Sequence, residues 1–197
     1  MPTDYKELYG NFRWEVPEHF NFGAHVDKYA SDPGRVALLY EDQDGNRARL
    51  TFADLKKQSD RIANALSGLG IKRGEPVLLM LPRMTLWQAA YLGALKIGAL
   101  VIPCTSMLRE KDVVYRANHS GARAIIAAPT SAEMIGDLRN QCPTLKHFLL
   151  AGSERSGWLG LQAAMRPDWG GGVFAQVLAD AMIRVGDSIA WEPTAST

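Results

Sequence analysis

An α/β fold with a largely parallel, doubly wound sheet and flanking helices is predicted by three observations. Two short apolar runs, Val77 to Leu81 and Ala99 to Ile102, flank one helix-length segment, the pattern of a βαβ unit. Further apolar runs at Ala124 to Ala127 and Phe148 to Ala151 each follow another helix-length stretch. Parallel neighbours require crossovers of this length, so the alternation itself points to a sheet covered on both faces.

Taken in order, the first 20 residues mix Trp14, Pro17 and other aromatics without a clear period and are expected to form an arm across the domain. Asn21 can cap a short helix through Ala30, which Asp32-Pro33-Gly34 ends. Val36 to Glu41 reads as a strand, Asp42-Gln43-Asp44-Gly45 as a turn, and Ala48 to Leu50 as the hairpin return. Thr51 has the chemistry of an N-cap. Leu55, Ile62, Leu66 and Leu69 then mark one face of a helix that Gly70 stops. Beyond the βαβ unit, helices are expected from Glu110 to His119, closed by Gly121, and from Ser131 to Arg139. From about Ser156 the character changes to a Gly- and Trp-rich stretch, in which only Val173 to Val185 suggests a helix. The expected division is an arm over 1–20, an α/β unit over 21–155 and a divergent tail over 156–197.

Composition narrows the function. With 47% hydrophobic and 22% charged residues the chain is ordinary for a globular protein. A formal charge of +1 gives no electrostatic reason to expect nucleic acid. No apolar run approaches the roughly 18 residues of a membrane helix. The start, Met1 to Glu7, has no apolar secretory core, and two isolated cysteines, Cys104 and Cys142, make no disulfide framework. A cytoplasmic location is the expectation.

Several motifs invite chemistry and fail on context. Gly68-Leu69-Gly70 closes a helix before a strand, whereas a dinucleotide pyrophosphate needs a glycine turn leading from strand into helix. Gly186-Asp187-Ser188-Ile189 looks like a hydrolase nucleophile block, but no later Asp and His remain to activate the serine. His19, His25, His119 and His147 share no metal-ligand spacing and read as surface or helix-end residues. Lys6, Lys28, Lys72 and the pair Lys56-Lys57 read as solvated positions. Two candidates remain. Arg83 follows a strand end, where it can serve either a structural salt bridge or a ligand. The loop at Thr105, Ser106 and Met107 is either an ordinary βα connection or a source of backbone N–H groups for a phosphate or pantetheine chain.

A set of segments carries a family likeness. They are Phe20-Asn21-Phe22, Leu50-Thr51-Phe52-Ala53-Asp54-Leu55, Arg73-Gly74-Glu75-Pro76-Val77 and Leu81-Pro82-Arg83. Lys96-Ile97-Gly98-Ala99, Asp112-Val113-Val114-Tyr115-Arg116 and Ser120-Gly121-Ala122-Arg123-Ala124 continue the series. Over about residues 20 to 150 the chain resembles the N-terminal part of the AMP-forming acyl-CoA synthetases, and Phe-Asn-Phe with Leu-Pro-Arg resembles the medium-chain branch most. The resemblance implies ATP, Mg²⁺ and CoA as the full-length family's cofactors and co-substrates, and a small carboxylic acid as its partner. A carboxylate attacks the ATP α-phosphate to give an acyl-adenylate, and the CoA thiol then displaces AMP. The family's phosphate-gripping loop ending in Pro-Lys, acidic metal ligand, ribose-binding Asp and C-terminal lysine have no counterpart here, so no catalytic or metal residue is assigned and the chain alone is expected to be inactive. Thr105, Ser106 and Met107 fall where relatives place part of the CoA site.

The tail admits a specific expectation. Read from each codon's third base, Met182-Ile183 embeds an Asp and Trp191-Glu192 a Gly nine codons later. Relatives show that spacing between an Asp-Asp-Pro segment and the first glycine of the phosphate loop, although the shifted frame forces Leu, Met or Val where they have Ser. The tail is accordingly expected to be out of frame or poorly ordered. The alternative is a non-catalytic binding or dimerisation module with the same fold, a homo-oligomer built on an exposed apolar face.

Overall fold

Residues 4–152 and 155–166 are described in the computed structural model. A five-stranded sheet organises them, in the order β4-β3-β5-β6-β7, with every neighbouring pair parallel. The strands are β3 (Pro76–Met80), β4 (Leu100–Pro103), β5 (Ala124–Ala127), β6 (His147–Leu150) and β7 (Leu159–Gly160). A separate antiparallel hairpin, β1 (Val36–Glu41) and β2 (Arg47–Thr51), stands before them.

Side chains alternate across the sheet and build two cores. Val77, Leu79 and Ile126 pack on one face with Ile62 and Leu66 of α3 (Phe52–Gly68) and Ala89 and Ala90 of α4 (Thr85–Lys96). Leu78, Met80 and Ile125 pack on the other with Val113 and Ala117 of α5 (Glu110–Ser120) and Ala132 and Ile135 of α6 (Pro129–Ile135). Each fully buried Leu or Ile contributes about 1.5–3 kcal/mol. Burial on both faces explains why β3 and β5 read as unbroken apolar runs.

Local chemistry sets the boundaries. The Thr51 hydroxyl accepts from the Asp54 N–H at 3.2 Å while the Asp54 carboxylate accepts from the Thr51 N–H at 2.9 Å, a complete capping box that starts α3. Gly121 closes α5 at φ 68°, a conformation that favours glycine. Gly93 lets α4 cross α3 at close range, since a Cβ there would stand 2.7 Å from the Ser59 carbonyl oxygen.

An ion cluster ties α2 (Phe22–Asp27) to both helices and corrects the reading of Lys56 as solvated. Lys96, its side chain only 8% exposed, reaches Asp27 at 2.8 Å, Asp60 at 2.6 Å and the Ser59 hydroxyl at 2.8 Å. Lys56 stands 2.5 Å from the second Asp60 oxygen. The Asn21 amide, beyond capping α2, donates to the Leu95 and Lys96 carbonyls at the end of α4.

Other differences from the sequence reading are local. The expected helix through Ala30 is α-helical only to Asp27 and finishes as a 3₁₀ turn, Lys28–Ser31. The helix expected over Ser131 to Arg139 runs instead from Pro129 to Ile135, because Pro129 pre-sets its first turn and Gly136, at φ 64°, ends it. The arm contains α1 (Tyr5–Asn11), capped by Asp4, with no buried residue. Past Ser156, β7 and the helical turn α7 (Leu161–Ala164) join the sheet, anchored by buried Trp158 and Leu161. The expected helix over Val173 to Val185 and the remainder of the tail lie outside the described residues.

Candidate functional site

In an open parallel sheet the carboxyl ends of the strands are the usual ligand edge, because the chain reverses there into loops that lead to helix N-termini. Both candidate segments stand on that edge. β3 leads through Leu81-Pro82-Arg83-Met84 into α4, and the adjacent β4 leads through Cys104 to Arg109 into α5. The Cys104 N–H still pairs with the Leu79 carbonyl at 2.8 Å, so the second loop departs one residue beyond the end of the strand.

Thr105 and Met107 are exposed, and Ser106 is half-buried. Thr105 turns the loop on itself. Its hydroxyl accepts from the Met107 N–H at 3.4 Å, and its carbonyl from the Leu108 N–H at 3.3 Å. Those two donors are therefore engaged within the turn. Among the described residues, the N–H groups of Thr105 and Ser106 have no protein partner. Cys104 beside them is buried, and burial pushes its thiol up against a smaller opposing pull from Arg116. It is held as a neutral thiol and is not poised as a nucleophile.

Arg83 is exposed, and no carboxylate among the described residues lies within ion-pair distance of it. The salt bridge that the sequence left open is thus absent among those residues. Its carbonyl accepts from the Tyr40 hydroxyl at 3.2 Å, which ties the β1–β2 hairpin to the loop after β3. Together Tyr40, Leu81, Arg83, Met84, Trp87 and Gln88 line a cavity of about 420 Å³. Arg83 was visible in the sequence. Tyr40 was not, because it arrives from a hairpin 43 residues earlier in the chain.

The histidines take varied positions. His119 stacks on Tyr115, His25 contacts Lys28, and His147 opens β6 with its imidazole pulled down by burial, then by Arg123, against the opposing pull of Glu75. Among the described residues no three His, Cys, Asp or Glu side chains converge in a way that would hold a metal ion.

A parallel sheet packed on both faces, whose strand-end loops lead into α4 and α5, defines an open α/β fold. Residues 26–181 match the family model described as AMP-binding enzyme, and the chain belongs to that family. The mitochondrial acyl-coenzyme A synthetase ACSM3 of Homo sapiens is 30% identical over 173 residues, 83% of this chain and 30% of the relative. An uncharacterised acyl-CoA ligase of Bacillus subtilis (strain 168), YtcI, is 34% identical over 147 residues, covering 74% and 27% of the two chains. The crystal structure of an acyl-CoA synthetase from Brucella canis superposes with a TM-score of 0.72 over 82% of this chain and 31% of its own, at 24% identity, and shows the shared fold. The chain spans less than a third of the length of these relatives and corresponds to the N-terminal part of AMP-forming acyl-CoA synthetases.

Proposed function

We propose that residues 21–166 form the N-terminal shoulder of an ATP-dependent, AMP-forming acyl-CoA synthetase acting on a medium-chain carboxylic acid. The observation that carries this reading is the family match over 26–181, joined to a sheet that offers its carboxyl-edge loops at the ends of β3 and β4. In the reaction, the carboxylate displaces pyrophosphate from ATP to give an acyl-adenylate, and the CoA thiol then displaces AMP. This part of the chain supplies a rigid wall. The Thr105, Ser106 and Met107 loop contributes to the CoA surface through its unengaged N–H groups and the exposed Met107 side chain, which suits the pantetheine arm.

The 197 residues contain no Ser/Thr-Gly-rich loop ending in Pro-Lys, and activation of ATP needs such a phosphate grip. We therefore propose that this polypeptide does not turn over by itself. The family match proceeds in the present frame to residue 181 and stops one residue before Met182, where the shifted reading begins. That extent keeps residues 156–181, part of the tail expected above to be out of frame, in register with the family and confines the proposed change of frame to the residues beyond.

ATP–pyrophosphate exchange with octanoate and the 1–197 polypeptide tests this reading. No exchange above the enzyme-free blank is expected, and measurable exchange would contradict it. In parallel, CoA should move the backbone amide resonances of Thr105, Ser106 and Met107 in a saturable manner. A titration that leaves all three unmoved removes the loop from the CoA site. A second reading, an interaction module, is favoured by Tyr5, Leu8 and Tyr9 along α1 and Phe12 at its C-cap, an apolar stripe in which every member is more than half exposed. Concentration-dependent dimerisation in sedimentation velocity, abolished by Tyr9→Ser, would support that reading.

A further inference from the structure

The cavity between the β1–β2 hairpin and the start of α4 has no part in the steps described above. Its floor is apolar: Leu81 is buried, and Met84 and Trp87 are half-buried. Trp87 stacks nearly parallel on Tyr91, with ring centroids 5.2 Å apart, so the indole wall is held from behind. Arg83 is the one charged side chain in the lining, and its backbone is fixed by the Tyr40 hydroxyl. An exposed guanidinium without a carboxylate partner among the described residues, set beside an apolar hollow of about 420 Å³, combines a strong anion donor with a place for an apolar body. The volume falls within the roughly 300–1,000 Å³ of small-molecule sites, which are mostly apolar with few orienting polar groups.

We propose that this cavity is a binding site for a small organic anion, its apolar body lying on Leu81, Met84 and Trp87 and its carboxylate- or phosphate-type head paired with Arg83. Tyr40 and Gln88 complete the rim and favour a ligand of about one aromatic ring in size. The site is independent of turnover and is tested without ATP or CoA.

The probes are phenylacetate, phenyl phosphate and the neutral isostere phenylacetamide. Each is titrated into the ¹⁵N-labelled 1–197 chain while the indole N–H resonance of Trp87, assigned with Trp87→Phe, is followed. At least one anion should shift that resonance saturably with Kd below about 1 mM, and phenylacetamide should bind about tenfold more weakly. Arg83→Gln, an exposed substitution, should weaken the anion about tenfold, leave phenylacetamide unchanged and preserve the rest of the spectrum. Tighter binding of phenyl phosphate than of phenylacetate would assign a phosphate-type head, and the reverse a carboxylate. The proposal is overturned by no saturable shift up to about 10 mM, by equal binding of the neutral isostere, or by an anion affinity that Arg83→Gln leaves intact.

Discussion

Asp60 shows how one side chain joins two helices, α3 and α4. Burial pushes its carboxyl up, but hydrogen bonds from Lys56 and Lys96 outweigh that, and it ends below the usual value of 3.8. A carboxylate with a depressed pKa in the folded state gives stability that is present above the unfolded value and lost as pH falls through the folded one. Asp60→Asn should therefore cost about 1–2 kcal/mol at pH 7 in urea unfolding, where Lys96 loses a charged partner. The gap from wild type should close as pH falls below 3.8. A gap that stays constant down to pH 3 would show that the ion cluster is not the source of the effect. Only the Lys56–Asp60 pair, four residues apart on α3, had a local signal in the sequence. Lys56 looked like a surface lysine because its partner Asp27, and Lys96 which shares the cluster, are brought in by other helices. Arg83 was legible because the end of an apolar run can be read locally, whereas the cavity behind it needed Tyr40 from the hairpin.

Elements with strong local signals were readable almost to the residue. β5 matches the expected Ala124–Ala127, and α3 begins at the predicted Thr51 cap. Shorter elements escaped for physical reasons. α1 has only seven residues and no buried side chain, so its stripe has no core to reveal it. β7 is two residues long and exists because β6 offers a free edge, a tertiary fact without a local pattern. The α3–α4 crossing depends on a single small residue. Gly93→Ala would place its Cβ 2.7 Å from the Ser59 carbonyl oxygen and 2.9 Å from the Ile62 Cβ, against backbone that cannot yield cheaply. A loss of about 2–3 kcal/mol in chemical denaturation is expected, even though alanine normally favours a helix. A stability gain from Gly93→Ala would mean that the helices do not cross at this distance.

At the scale of the whole molecule, the fold was legible because alternating helical and apolar segments leave few topologies for a parallel sheet. The site was legible only as strand-end loops, since the matched part covers only 27–30% of the relatives' length. Residues 21–166 supply a scaffold whose two faces are packed and whose carboxyl edge is open. We propose that this scaffold was encoded as the opening of a synthetase. The most direct test is the DNA sequence across codons 150 to 197 and the bases that follow. A continuing or shifted frame encoding the Ser/Thr-Gly-rich loop, its Pro-Lys ending and a C-terminal lysine domain is the predicted result. A stop after Thr197 with no such sequence in any frame would contradict it, and would leave a free-standing α/β module.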